Sequence, residues 1–205
     1  MSEDNLKYDI IIIGGGPGGY VAAIRASQLG FNVGLVERES LGGVCLNWGC
    51  IPTKALLRSS EVKHLLDNSQ SYGFSIPNYQ VNFEDIIKRS RSVAKSLSSG
   101  VEHLMKKNKV NVHNGIAKIT KSNEDQKIVK VIDKEKNELE IKSKFLIIAT
   151  GASSKNLPFI SSDGKNILDY RTAMIPKELP KSLIIVGSGA IGSEFASFYN
   201  DLGCK

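Results

Sequence analysis

Cys45 and Cys50 stand with four residues between them in the stretch Gly42-Gly43-Val44-Cys45-Leu46-Asn47-Trp48-Gly49-Cys50-Ile51-Pro52-Thr53-Lys54. Two thiols a short loop apart close a disulfide at small entropic cost, so the bond can cycle rather than staple a fold. Gly42, Gly43 and Gly49 open backbone conformations closed to other residues and let a planar ligand come close. Pro52 suits the first turn of a helix that carries Lys54, Ala55, Leu56 and Leu57. Cys50 then lies near a helix N-terminus, where the positive end of the helix dipole favours a thiolate. A structural zinc site is disfavoured. It needs four ligands, and beyond this pair there are only Cys204 and three scattered histidines. Inert buried cysteines would not need the flanking glycines.

A cysteine pair of this kind must be held by a scaffold. Tyr8 to Ile13 is an apolar run ending in Gly14-Gly15-Gly16-Pro17-Gly18-Gly19, and Tyr20 to Ala26 then reads as helix. Asn32 to Val36 is a second short strand that ends on Glu37, some twenty residues past the turn. The spacing is that of a dinucleotide-binding βαβ unit. Gly14 would make the tight turn, Gly16 would admit a pyrophosphate, Gly19 would allow helix packing, and Glu37 would bind a ribose hydroxyl. A second pattern of the same form occurs late in the chain: Leu183 to Val186 as strand, Gly187-Ser188-Gly189-Ala190-Ile191-Gly192 as turn, and Ser193 to Leu202 as helix. Two such patterns imply two nucleotides. The second stops at Lys205 before its next strand, which implies a segment of a longer protein.

Between the two turns, Thr53 to Asp67 reads as helix and Asp67 to Asn82 as a polar loop. A long helix follows from about Phe83 to Lys107, with Ile86, Ile87, Val93, Leu97, Val101 and Leu104 forming the expected core stripe. Val110 to Val112, Ile116 to Ile119, Ile128 to Ile132 and Leu139 to Ile141 read as short strands, and Phe145 to Ala149 as a buried strand entering Thr150-Gly151.

Composition sets outer bounds. The chain has 205 residues, is 41% hydrophobic and has a net charge of +6. Its lysines are dispersed among acidic residues without aromatic interleaving, so they read as solvated surface and not as a nucleic-acid groove. Ile10 to Ile13, the densest apolar run, is too short to span a bilayer. The acidic start, Met1 to Asn5, has neither a signal-peptide core nor an Arg-rich transit pattern, and the expectation is a soluble cytoplasmic protein.

The order Gly14 to Gly19, Glu37, Cys45 to Lys54, Ala149 to Gly151 and Gly187 to Glu194 resembles the pyridine nucleotide disulfide oxidoreductases. Gly15 to Ala23 together with Leu46 to Lys54 is most like the dihydrolipoamide dehydrogenase branch of that family. The resemblance implies an α/β fold. It places a Rossmann-like FAD-binding domain with a three-stranded β-meander insertion at residues 1–150, and the start of a Rossmann-like NAD-binding domain at 151–205. It also implies FAD held by Gly14, Gly16, Pro17, Gly18, Gly19, Glu37, Arg38, Gly43, Val44, Cys45, Cys50, Lys54, Gly115, Ala117, Ala149, Thr150 and Gly151. NAD would meet Gly187, Gly189, Ala190, Ile191, Gly192 and Glu194. Cys50 would be the flavin-side thiol, Cys45 the thiol that meets substrate, and Lys54 would pair with Glu194.

The activity implied is oxidation of dihydrolipoamide on lipoyl domains of 2-oxoacid dehydrogenase or glycine cleavage complexes, with NAD as acceptor and a homodimer as working unit. The family's His–Glu base pair and its dimerisation region have no counterpart here, and His64, His103 and His113 match no such motif. A sibling reductase of the glutathione or mercuric type, and a non-catalytic flavin-binding module, are the competing readings.

Overall fold

The computed structural model describes residues 6–155 and 157–205. They fall into two compact units, one of Met1–Asn47 with Lys95–Ser153 and one of Trp48–Ala94 with Ser154–Lys205.

The first unit is built on one six-stranded sheet in the order β3-β2-β1-β6-β5-β4. Strands β1 (Lys7–Ile13), β2 (Val33–Glu37), β3 (Asn111–Asn114) and β6 (Glu138–Ile148) run parallel. Strands β4 (Ile116–Ser122) and β5 (Lys127–Ile132) join β6 as an antiparallel meander. The β-branched runs Ile10-Ile11-Ile12-Ile13 and Val33 to Val36 suit a sheet covered on both faces. Ile11, Ile12, Val33, Leu35 and Val36 are indeed buried. Helix α1 (Pro17–Gln28) crosses from β1 to β2, as a parallel pair requires. Tyr8, Ile11, Val36, Val129, Val131 and Ile141 form one apolar cluster, so the meander shares its core with the parallel strands.

Two expected strands, Leu139 to Ile141 and Phe145 to Ala149, are one. The polar Lys142-Ser143-Lys144 between them reads as a break, yet ladder bonds are made by backbone, which is indifferent to side-chain polarity. Lys142 pairs with Ile128 on one side and with Lys7 on the other. The end of this strand is not buried as expected: Phe145 and Ile148, on opposite faces of the sheet, are both more than half exposed.

The second unit contains α3 (Cys50–Asp67), a short 3-10 turn at Ser69–Tyr72, the start of α4 (Phe83–Lys107), α5 (Tyr170–Met174) and α6 (Ala190–Asp201). Leu56, Met174, Phe195, Phe198, Tyr199, Leu202 and Cys204 make its core. Each such large side chain contributes about 1.5–3 kcal/mol when fully buried. Tyr199 donates its hydroxyl to the Ala173 carbonyl at 2.6 Å, which satisfies the one polar atom the ring brings inside, and burial holds its phenol well above the ordinary range.

The stripe expected on α4 is rotated. Leu97 and Leu104 are partly in solvent, whereas Ser90, Ala94, Ser98, Val101 and Met105 are buried. Hydrophobicity alone hides the serines, which turn their hydroxyls to backbone: Ser90 Oγ to the Ile87 carbonyl at 2.8 Å and Ser98 Oγ to that of Leu41 at 2.7 Å. Leu183 to Val186 does not form the expected strand. Its contacts include a single parallel rung, Leu183 N–H to the Lys205 carbonyl at 2.9 Å and Lys205 N–H to that of Lys181 at 3.1 Å, and Ile184 is 92% exposed. A strand needs a neighbour along its length. Among the described residues no helix is long and apolar enough to cross a membrane.

Candidate dinucleotide and redox sites

The first glycine turn follows directly from where β1 must end. Gly14 has φ +104, and its N–H donates to the Val36 carbonyl at 2.8 Å. A Cβ there would lie 2.7 Å from the Ala149 carbonyl carbon, so both conformation and space demand glycine. Gly16 is the N-cap of α1 and Pro17 its first residue, where a missing N–H costs nothing. Gly19 sits against the turn: a Cβ on it would come within 2.8 Å of the Gly14 carbonyl carbon. No side chain caps α1 and no acidic residue lies in its first turn. Pro17 has no N–H and that of Gly19 turns back to the Gly16 carbonyl at 2.9 Å, so no side chain competes for the remaining donors at this N-terminus, where the dipole favours an anion.

Glu37 closes the unit. Its Oε2 accepts from the Gly15 N–H at 2.6 Å and its Oε1 from the Glu39 N–H at 2.7 Å. Both oxygens keep a second lone pair, so a hydroxyl can still bind. Gly115 lies on the same strand end, donating its N–H to the Glu37 carbonyl at 2.9 Å, and Ala117 follows on β4 opposite Val131. Ala149 donates its N–H to the Ile13 carbonyl at 2.8 Å, and Thr150 and the left-handed Gly151 follow it, exposed. Arg38 is an exposed residue just beyond β2.

The loop with the first cysteine is pinned to this turn. Gly42 N–H donates to the Gly15 carbonyl at 2.8 Å, and a Cβ on Gly43, at φ +58, would lie 2.7 Å from Gly16 Cα. Gly43, Val44 and Cys45 begin α2 (Gly43–Trp48), with Val44 exposed and Cys45 half-buried. Sequence reasoning missed Asn47 and Ser98 here. The Asn47 amide donates to the Leu41 and Gly43 carbonyls at 3.0 and 2.9 Å, and Ser98 also binds the Leu41 carbonyl. The spacing of Asn47 four residues after Gly43 is the signal that could have shown it.

In the second unit, Cys50 is exposed and is the first residue of α3, with Gly49 as N-cap and no side-chain cap or acidic residue in that turn. Lys54, one turn on, makes an ion pair with Glu194 of α6. Lys54 is 62% exposed and Glu194 29%, so the pair adds little to stability. The second glycine turn has the backbone of the first. Gly187 has φ +108; Gly189 caps α6 at φ -71 and ψ 174, against φ -73 and ψ -176 at Gly16. Gly192 packs on the Gly187 carbonyl as Gly19 does on that of Gly14. Ala190 and Ile191 are exposed on the first turn of α6, which also lacks a side-chain cap. Helix α5 is the contrast, since Asp169 and Thr172 form a complete capping box and occupy its N-terminal donors.

Known proteins agree with this geometry. Residues 8–205 match the family profile described as pyridine nucleotide-disulphide oxidoreductase. The chain is 52% identical over 198 residues to dihydrolipoyl dehydrogenase of Zymomonas mobilis subsp. mobilis, covering 97% of this chain and 42% of the relative. It is 50% identical to the dihydrolipoyl dehydrogenase of Rhizobium etli, covering 96% and 43%. Among solved structures it is similar to LpdA from Mycobacterium tuberculosis, with a TM-score of 0.89 at 28% identity over 95% of this chain and 43% of that one. The chain thus spans about two-fifths of the length of these relatives. With its glycine turns, Glu37 and cysteine pair in place, the chain belongs to the pyridine nucleotide-disulphide oxidoreductase family.

Proposed function

We propose that the full-length protein is an FAD-dependent dihydrolipoyl dehydrogenase that oxidises protein-bound dihydrolipoamide and delivers the electrons to NAD. The observation that carries the reading is the matched backbone of the Gly14–Gly19 and Gly187–Gly192 turns, with a close-spaced cysteine pair between them in the chain. Two dinucleotide cradles and one exchangeable disulfide are the parts such a reaction needs. The names of the most similar relatives support the lipoamide branch.

The residues fit FAD at the first turn, where Gly14 and Gly43 let Ala149 and the cysteine loop pack close against the turn and the α1 N-terminus is uncapped. Gly16 to Gly19 would hold the pyrophosphate and Glu37 the ribose, with Arg38, Gly115 and Ala117 around the adenosine end. Gly43, Val44, Ala149, Thr150 and Gly151 would line the remainder. Gly187 to Gly192 would hold NAD. Bound flavin supplies a two-electron acceptor for the dithiol and a hydride donor for NAD.

The thiol chemistry is carried by the chain itself. A substrate thiolate attacks Cys45 Sγ and breaks the Cys45–Cys50 bond, leaving a mixed disulfide and the Cys50 thiolate. The second substrate thiolate attacks the mixed disulfide, closes the oxidised substrate ring and releases Cys45 as thiolate. The two substrate protons go to a base, in this family a His–Glu pair from the other subunit of a homodimer. Lys54 and Glu194 would sit at the flavin and nicotinamide as one positioned pair. In domain terms, residues 1–150 would form the FAD domain and 151–205 the start of the NAD domain, in a cytoplasmic protein whose partners are lipoyl domains and neither nucleic acid nor membrane.

The test is turnover by the full-length protein. FAD-bound protein that reduces NAD with dihydrolipoamide supports the proposal. NADPH-driven reduction of glutathione disulfide or mercuric ion would move it to a sibling reductase, and bound FAD without turnover to a flavin-binding module.

A further inference from the structure

Trp48, the one tryptophan of the chain, stands two residues before Cys50 and is gripped by two arginines of the second unit. The Arg91 guanidinium carbon lies 4.3 Å from the indole centroid and that of Arg171 lies 5.0 Å from it. The indole is half-buried and packs on the core cluster that includes Leu56 and Met174.

Neither arginine is placed there incidentally. Arg91 comes from α4, is itself half-buried, and directs Nη1 to Met174 Sδ at 3.5 Å. None of the ion pairs between described residues includes Arg91, and burial alone lowers its pKa from the ordinary arginine value. A partly desolvated guanidinium without a carboxylate depends on what else stabilises its charge, and here that is the face of Trp48. Arg171 comes from α5, which its Asp169–Thr172 capping box makes rigid, and donates Nε–H to the Tyr170 hydroxyl at 3.0 Å. Its guanidinium also lies 5.8 Å from the Tyr170 ring.

We propose that Arg91 and Arg171 are positioning residues for Cys50 that act through Trp48, pinning the residue two before Cys50 to α4 and α5 and so setting how strongly the redox disulfide resists reduction. The inference rests on the reading of Cys45 and Cys50 as a redox pair. Gly49 has φ -145 and ψ -118, no side chain of its own and no side-chain cap, so the chain entering α3 has no side-chain anchor at that residue and Trp48 is the anchor before it. A cation-π contact contributes enough to change an equilibrium about two- to fivefold. On this proposal the pin lowers the chain freedom that Cys50 loses when the disulfide closes, which favours the oxidised form.

The experiment equilibrates the full-length protein with dithiothreitol buffers and measures the fraction of protein disulfide. In that exchange the protein disulfide takes two electrons and two protons from the reagent, whose sulfurs close into its own ring. Arg91→Gln and Arg171→Gln are each expected to shift the equilibrium about two- to fivefold toward the protein dithiol. In a Trp48→Leu background, Arg91→Gln is expected to shift it no further. Arg91→Lys, which keeps the charge but loses the planar stack, is expected to restore only part of the effect. An unshifted equilibrium in either Gln variant, or an equal shift by Arg91→Gln with and without Trp48, overturns the proposal. A wild-type protein that holds no reducible disulfide defeats instead the redox reading beneath it. Thermal unfolding measured on the same variants separates the two roles, because general loosening of the core would persist without Trp48.

Discussion

The Gly15 backbone N–H and Glu37 Oε2 meet at 2.6 Å, joining the two ends of the β1-α1-β2 unit. With the Glu39 N–H on its other oxygen, the carboxylate is held before any ribose arrives. Glu37→Ala leaves two backbone donors without their charged acceptor, so unfolding stability should fall by about 1–3 kcal/mol. Flavin retention on gel filtration should fall with it. Glu37→Gln, which keeps one acceptor oxygen, should recover part of the stability. Chemical denaturation of the three proteins tests this, and equal stability of all three would remove the clamp from the account.

Gly43 and Gly73 both have positive φ, but only Gly43 is crowded, with a Cβ placed 2.7 Å from Gly16 Cα. Gly73→Ala meets nothing within 4 Å and should cost about 1–2 kcal/mol for backbone strain. Gly43→Ala should cost more and should push the cysteine loop off the glycine turn. Urea melts compare the two, and the loss of bound flavin should be confined to Gly43→Ala.

Lys54 and Glu194 form a solvent-screened pair. Lys54→Met should change stability by less than about 1 kcal/mol. Turnover of the full-length enzyme should nevertheless fall at least about tenfold if the pair positions the reacting partners. Steady-state rates set against melting curves decide it: a proportional loss of both would assign the pair to folding alone.

His113 gives the protein a pH signature. It lies on β3 with Nε2 2.8 Å from the Tyr8 hydroxyl, and burial pushes its pKa below the ordinary imidazole value. As pH falls below about 6.5, the unfolded chain takes up a proton that the folded one refuses. Stability should therefore decline from about pH 6.5 down to the lowered folded value and then lose nothing more from this group. His113→Gln should flatten that window. Denaturant midpoints at several pH values for both proteins give the comparison.

The glycine turns, Glu37 and the start of α3 could be read from the sequence because each depends on local backbone demands that few residues meet. Phe83–Lys107 was legible in extent for the same reason. Its buried face was not, since Ser90 and Ser98 are buried through hydroxyl-to-carbonyl bonds that hydropathy scores as exposure. The Leu183 to Val186 strand was misread because strand formation is decided by a neighbour and not by apolar content. Asn47, Arg91 and Arg171 were invisible as site residues, because their meaning comes from partners far along the chain or from carbonyls no motif records.

Strand β6 belongs to two structures at once, closing the meander with its first half and flanking β1 with its second. The meander therefore cannot be excised and its ends rejoined without shortening the ladder between β1 and β6, as a peripheral hairpin could. A chain shortened between Ile116 and Lys144 would lose the Lys7–Lys142 and Tyr8–Ser143 pairs along with the meander, and leave β1 only the rungs from Phe145 to Ile148. For a gene, that ties the two pieces into a single unit of inheritance, and recombination breakpoints within it are expected to yield unfolded products.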